Sequence, residues 1–562
     1  MLLGTGAIGF FLGMVRFPAA PDALEPAQVL AGLVRYPPDS PIYLYSTRAW
    51  TVLHDAFALI LAAGVPELTL GLVVSGLVGM LSLQALGVVV LALGRDATLA
   101  ILAPFFITLT NAVSGGLTYP VSLMGGEPTY GTAGLSYALL AMALVGVGRV
   151  RSGAWMLGFS PAIHATIGGW SILIAAIAAI MGRRADRSIA GRWLLAGLAG
   201  ALLCAALHYW WFDLPLPRVG FQAAPAWDDH RQPWPLWSPL ALATYFSAAI
   251  PVIWLWRYAA WIPADARFLL RMLSVAGLLG LAMSVSYWLA GPVSAMVASL
   301  MPSRVLNLNV MTCMALIIGL AAARGLPAYD ALLATLAVVL LVLTGAIHVL
   351  GDERAHRVVP WLAMGAAAAA VVVLGEQHRR GSTFLVAARP AAAMKRGAGA
   401  LVLLALMAGA VVSLMDFRRV VTRLMPDRTT DRLFGVVASR PGILLTASDM
   451  HLIQLRVRRP VLLDGGAIDA TVYVPDAVPA TDRILSRVYG TSFDEVVASG
   501  VAALHHETGR ALWERRSAAD WRQIAREFGV TDVLTHQGWR LQLPRVASNP
   551  DFILYELPRA TD

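Results

Sequence analysis

LTLGLVVSGLVGMLSLQALGVVVLAL, residues 68–93, carries no charged side chain. As an α-helix it would be about 39 Å long, more than the ~30 Å hydrocarbon layer of a bilayer. In hydrocarbon every backbone N–H and C=O must be paired within the segment, so such a run reads as a spanning helix. Similar runs recur outward from it, at 98–115, 131–148, 190–211, 237–256, 268–290, 305–323, 330–350, 358–375 and 398–415. The stretch 2–15 is shorter and lacks the basic flank of a signal peptide, so it reads as a first span whose start is left open. Residues 51–65 are apolar but short, which suits an interfacial or re-entrant helix. The stretch 153–181 is interrupted at SPAIHATIGG and flanked by Arg149, Arg151, Arg183 and Arg184. If both basic pairs lie on one side, it must enter and return as two short helices, with Pro161 and Gly168-Gly169 as breakers.

The composition agrees. Of 562 residues, 58% are hydrophobic and 14% charged, and the mean hydropathy is +0.66. Soluble domains are about 25% charged. A wholly soluble, disordered, collagenous or coiled-coil chain is therefore excluded, as is a secreted disulfide scaffold. The net charge of +9 is nearly all arginine, with Lys395 the single lysine. With the N-terminus in the cytoplasm and each span switching sides, the cytoplasmic loops carry nearly twice the basic residues of the outer ones. That distribution accounts for the basic character without nucleic acid. Cys204 and Cys313 fall within apolar spans and read as small buried hydrophobes.

The predicted fold is predominantly α, a polytopic membrane bundle of about 11–13 spans over 1–415. Its outer loops are 16–67, 116–130 and 212–236. Residues 416–562 differ in composition, with balanced charge and short apolar runs. Segments 442–448, 459–466, DVLTHQ and DFILYEL read as strands, and ADWRQIAREFGV (519–530) as a helix ending at Gly529. The tail is thus a small α/β domain, extracytoplasmic in this orientation.

Polar side chains gather in the outer loops. YPPDSPIYLY (36–45) holds Asp39 between prolines, beside Tyr43; the plain alternative is that Asp39 caps the following helix. Asp228, Asp229, His230 and Arg231 are consecutive, with Trp227, Trp234 and Trp237 nearby, and tryptophans ordinarily anchor at the interface. A carboxylate and an arginine there suit a sugar and a phosphate. Arg304 enters a span in MPSRVLNLN (301–309) with Asn307 one turn on; it suits a lipid phosphate or snorkels to the headgroups. Glu127 lies in TYPVSLMGGEPTYG (118–131), a turn first and a site second. His164 reads as a packing residue near mid-membrane. No P-loop, dinucleotide fingerprint, nucleophile elbow or zinc helix is present. The sequence assigns no metal ligand and no cofactor, and leaves a divalent metal open.

In span number, an acid-bearing first outer loop and a soluble C-terminal domain, the chain resembles the GT-C class of integral membrane glycosyltransferases, in an uncharacterised bacterial branch. Many such enzymes carry paired acids in the first outer loop; here Asp39 stands alone, with Asp22 and Glu25 upstream. The resemblance implies a multi-pass protein of the bacterial inner membrane, a polyprenyl-phosphate-linked sugar donor and transfer at the outer face. Asp39 is then the base, Arg304 the phosphate contact, and Asp228, Asp229, His230, Arg231, Asn307, Tyr43 and Glu127 substrate contacts. A transporter or flippase, or an O-antigen-type polymerase or ligase, stays open as the alternative.

Overall fold

The computed structural model describes residues 1–16, 24–109, 130–182, 184–214, 233, 239–291, 297–298, 301–322, 426–463, 474–495 and 506–558. Glu127, Asp228, Asp229, His230 and Arg231 lie outside the described residues, as do the spans expected at 330–350, 358–375 and 398–415. So does the division expected at 415/416.

The chain is predominantly α, with one small sheet in its C-terminal region. Helices α1 (Leu2–Arg16), α2 (Leu24–Leu30), α3 (Pro41–Arg48) and α4 (Val52–Ala62) come first. Then follow α5 (Glu67–Gly94), α6 (Ala97–Leu109), α7 (Tyr130–Gly146), α8 (Val150–Ile163), α9 (Ala165–Ile180) and α10 (Arg184–Trp211). Helices α11 (Pro239–Tyr258), α12 (Ala264–Leu289) and α13 (Pro302–Ala321) complete the described bundle. Among the described residues three helical stretches, Glu67–Gly94, Gly191–Trp211 and Ala264–Leu289, are long and apolar enough to cross a membrane, and Leu2–Val15, Tyr130–Gly146, Ala165–Ile180 and Arg304–Leu320 are shorter apolar helices. On α10, Leu195, Leu202, Leu203, Leu207, Trp210 and Trp211 are exposed. Water would penalise that row, whereas lipid suits it.

Lipid gives little drive for one apolar helix to leave it for another, so close backbone approach between small residues takes that role. A Cβ at Gly79 would stand 2.3 Å from the Gly9 carbonyl oxygen, which is how closely α5 lies on α1. The same device joins α8 to α10, where a Cβ at Gly158 would meet the Leu194 carbonyl oxygen at 2.0 Å.

The break in 153–181 is real but lies at His164, not at the proline or the glycine pair. Pro161 stays within α8, and His164 (φ −154°, ψ 109°) ends α8 and opens α9. Its Nδ1 accepts the Ile167 N–H at 3.4 Å. At the far ends Gly148 lies beside Asp265 and Gly182 beside Arg271, both early in α12. The two short helices therefore go in and come back.

Residues 426–558 have their own core. Strands β1 (Ile443–Thr446), β2 (Val530–His536), β3 (Arg545–Ser548) and β4 (Phe552–Glu556) form a sheet in the order β1-β2-β4-β3, with β1 parallel to β2 and the other pairs antiparallel. Of the strand expected at 459–466, Val461 makes a single parallel bridge to Leu444; β3 was not expected. The helix Ala518–Phe528 starts with a Ser517–Asp520 capping box and ends on Gly529 at φ +67°, a conformation glycine adopts without strain. Trp513, Trp521 and Trp539 are fully buried and pack edge to face. The buried Asp532 is paired with Arg459 and Arg440, as a charge removed from water must be.

This unit is fastened to the first inter-helix region. Leu452 and Leu455 share a core with Leu24, Ala27, Phe57, Leu61 and Leu70. The Tyr36 hydroxyl donates to Gln454 Oε1 at 2.6 Å and accepts the Val461 N–H at 2.9 Å. Glu67, the first residue of α5, accepts from Gln28, Arg428 and Arg458.

Candidate functional site

At the end of the bundle that carries this unit, α4, α7, the α8–α9 break, α10 and α13 bring polar side chains together. Arg304 sits in the first turn of α13, 9% exposed, with its Nη1 3.4 Å from His164 Nε2. A neutral imidazole has one donor and one acceptor nitrogen. Because Nδ1 accepts from Ile167, the proton belongs on Nε2, where it faces the permanently donating guanidinium. Asn307 lies three residues on, on the same helix face, 3% exposed, and its Nδ2 makes no hydrogen bond among the described residues. The sequence's pairing of Arg304 with Asn307 thus has a third member in His164. His164 also shares this end with Thr51, whose hydroxyl lies 3.0 Å from the Ala162 and Ile163 carbonyls.

Thr51 also caps α4 by accepting the Leu53 N–H. One turn later come His54 and Asp55. Asp55 Oδ1 lies 2.7 Å from His208 Nδ1, and Oδ2 accepts from Trp50 Nε1 at 2.8 Å. His208 Nε2 reaches the Thr47 carbonyl at 2.9 Å. Acceptors thus face both ring nitrogens. Tyr209 donates to the Arg48 carbonyl at 2.9 Å, so α10 holds the C-terminal end of α3 through two adjacent residues. His54 is 1% exposed, and neither ring nitrogen makes a well-formed hydrogen bond among the described residues. Burial pushes its pKa down to about 3; His208 adds repulsion, while Asp55 and the Ala49 backbone oppose the shift.

Asp39 lies exposed in the turn before α3, with no hydrogen bond to its carboxylate among the described residues. It does not cap α3: Ser40 holds the N-cap position and makes no side-chain cap bond. Tyr43 is half-buried on α3. That helix packs its apolar face on the C-terminal unit, Ile42 in its core and Leu44 against Val474 and Ala477. No contact joins Asp39 or Tyr43 to Arg304, His164 or Asn307 among the described residues. The sequence reading missed His54, Asp55 and His208. The signal was there, an adjacent His-Asp pair inside an apolar segment and a lone histidine at the end of a span. Among the described residues no group of three or more His, Cys, Asp or Glu is arranged to hold a metal ion.

No protein-family model matches the chain, and no curated protein matches it. Among solved structures it is similar to the crystal structure of ArnT from Cupriavidus metallidurans bound to undecaprenyl phosphate. The identity is 13% and the TM-score 0.38, over 99% of this chain and 96% of that one. No residue role or activity passes across at that level.

Proposed function

We propose that this protein is a GT-C-type membrane glycosyltransferase that moves a sugar from a polyprenyl-phosphate-linked donor to an acceptor hydroxyl at the outer face of a bacterial inner membrane. The observation that carries the reading is the Arg304–His164 pair. Two donors converge at a helix start, with Asn307 on the same face, at the end of an apolar bundle where a lipid headgroup would lie. Arginine distribution supports the orientation, with residues 416–562 as the extracytoplasmic domain and 1–415 as the membrane domain.

In this reading the acceptor hydroxyl gives its proton to a carboxylate, and its oxygen attacks the anomeric carbon. The bond from that carbon to the lipid phosphate breaks, and the electron pair leaves on the phosphate. Arg304 and the His164 Nε2–H stabilise that charge, and fixed donors are worth most where water is excluded. Asp39 takes the base role, since its carboxylate is uncommitted, whereas both oxygens of Asp55 are engaged by His208 and Trp50. A positioned base contributes typically 10²–10⁴-fold. Asp55 then fixes α4 rather than taking the proton. Tyr43, Glu127, Asp228, Asp229, His230 and Arg231 remain the proposed sugar and phosphate contacts.

The test is binding of polyprenyl phosphate to the purified protein in nanodiscs. Arg304→Met should weaken it about a hundredfold, the value of a charge-assisted hydrogen bond near 3 kcal/mol. Tight binding by wild type that Arg304→Met leaves unchanged removes the phosphate site from this end of the bundle. Vesicle-entrapped protein that moves a labelled lipid-linked sugar across the bilayer, without transferring it, would instead make the protein a flippase.

A further inference from the structure

His54 is buried at one end of the bundle with two ring nitrogens to satisfy. The Ala49 backbone lies beside the ring without a well-formed hydrogen bond to it, and the two charged neighbours are already committed. Asp55 spends its oxygens on His208 and Trp50, and His208 spends its nitrogens on Asp55 and the Thr47 carbonyl. The flanking rings are aromatic edges: Tyr130 stands 4.9 Å away and Tyr45 6.4 Å away, both T-shaped. Buried polar groups almost always find partners, so a histidine with neither nitrogen well bonded calls for one.

The position says where that partner comes from. Tyr130 opens α7, and one turn later Gly134 abuts His164, whose Cβ would lie 2.7 Å from a Cβ placed there. On the other side Thr51, one turn before His54, is tied to the carbonyls that precede His164. One helical turn plus one ring contact puts His54 on the order of 10 Å from the Arg304–His164 pair. A ligand with its phosphate on that pair and a sugar beyond it would reach His54.

We infer that His54 recognises a hydroxyl of the donor sugar while Arg304 and His164 hold its phosphate, an inference that rests on the proposed function. The chemistry separates the two positions. His54 stays neutral far below physiological pH because burial opposes its charge. A neutral imidazole with both nitrogens open, unlike His164 whose Nδ1 is taken by Ile167, presents a donor and an acceptor that an alcohol can satisfy together and an anion cannot. A phosphate oxygen at His54 would face a lone pair on one nitrogen.

The experiment compares two kinds of probe on the full-length protein in nanodiscs: polyprenyl phosphate, and the same lipid phosphate carrying glucose, mannose or arabinose. Wild type should prefer one of the glycosylated lipids. His54→Phe keeps the ring's packing and deletes both nitrogens. It should bind bare polyprenyl phosphate as wild type does and lose about tenfold on the preferred glycosylated lipid, the cost of a hydroxyl left facing no partner. His54→Gln, which retains a donor and an acceptor, should keep part of the preference and guards against a folding defect in the phenylalanine variant. Equal loss on both lipids, or an undiminished preference in His54→Phe, overturns the inference and leaves the phosphate site standing. Wild type that binds bare polyprenyl phosphate without favouring any sugar overturns it as well. Wild type that binds neither probe overturns the proposed function along with it.

Discussion

Glu67→Gln should loosen the C-terminal unit from the bundle without unfolding either. Glu67 Oε1 accepts from Arg458 Nε and from Gln28 Nε2 at 2.9 Å, and Oε2 accepts from Arg458 Nη2 at 3.1 Å and Arg428 Nη2 at 3.2 Å. Glutamine keeps one oxygen but sets an NH2 against two guanidinium groups. Two charge-assisted hydrogen bonds, each about 1.5–3 kcal/mol, are lost. The Arg428 and Arg458 side chains are 22% and 32% exposed, so both recover part of their hydration. The net cost should be about 2 kcal/mol, a roughly thirtyfold rise in the undocked population. Hydrogen exchange on the intact protein reads this directly: the amides of Ile453–Val457, which pack against α2, should exchange about thirtyfold faster. Val533 and Leu534, in the centre of the sheet, should keep their protection. Raising the salt should change the wild-type protection little, because Glu67 is largely out of water. If Ile453–Val457 stays protected in Glu67→Gln, the charge cluster does not hold the two units together and the shared apolar core does.

Gly79→Val should cost about 3 kcal/mol in detergent unfolding, since the new Cβ meets the Gly9 carbonyl and the helices must part. Gly169→Ala, where nothing lies within 4 Å, should be neutral or slightly stabilising in the same assay. His208→Phe should cost about 2 kcal/mol by leaving the Thr47 carbonyl and a 28%-exposed Asp55 without their donor, and a cycle with Asp55→Asn should show the two effects to be non-additive. The side-chain and backbone hydrogen bonds from Ser517 hold the Asp520 carboxyl below its ordinary 3.8. With the folded value lowered, this contribution is complete above the ordinary value and is lost as pH falls through the lowered one. Exchange at the start of the Ala518–Phe528 helix should therefore rise in acid, and Ser517→Ala, which leaves only the backbone N–H bond to Asp520, should weaken that pH dependence.

How much was legible differs between fold and site. Residues 68–93 announce a helix because hydrocarbon leaves the backbone no other way to pair, and α5 runs Glu67–Gly94. The helix at 518–528 was legible through its spacing and Gly529, and β1, β2 and β4 through their short apolar runs. Strand β3, RVAS, was not, having too few apolar residues to set a period. The break at His164 was located to within a few residues but credited to proline and glycine. Pro161 sits in the last turn of α8, where the helix bears it, and Gly168 serves the close return of α9 onto Ser160 and Pro161.

Sequence alone determined which segments are apolar enough to leave water and how the arginines are distributed among the loops, because both depend on the composition of one stretch at a time. Only the tertiary structure decided that Arg304 meets His164 across 140 residues and His208 meets Asp55 across 153. Likewise only the fold could show that YPPDSPIYLY lends Tyr36, Ile42 and Leu44 to a docked C-terminal unit while leaving Asp39 in water. Such meetings depend on which helix faces pack together. That choice follows from glycine contacts and buried polar pairs distant in the chain, and no local pattern records it.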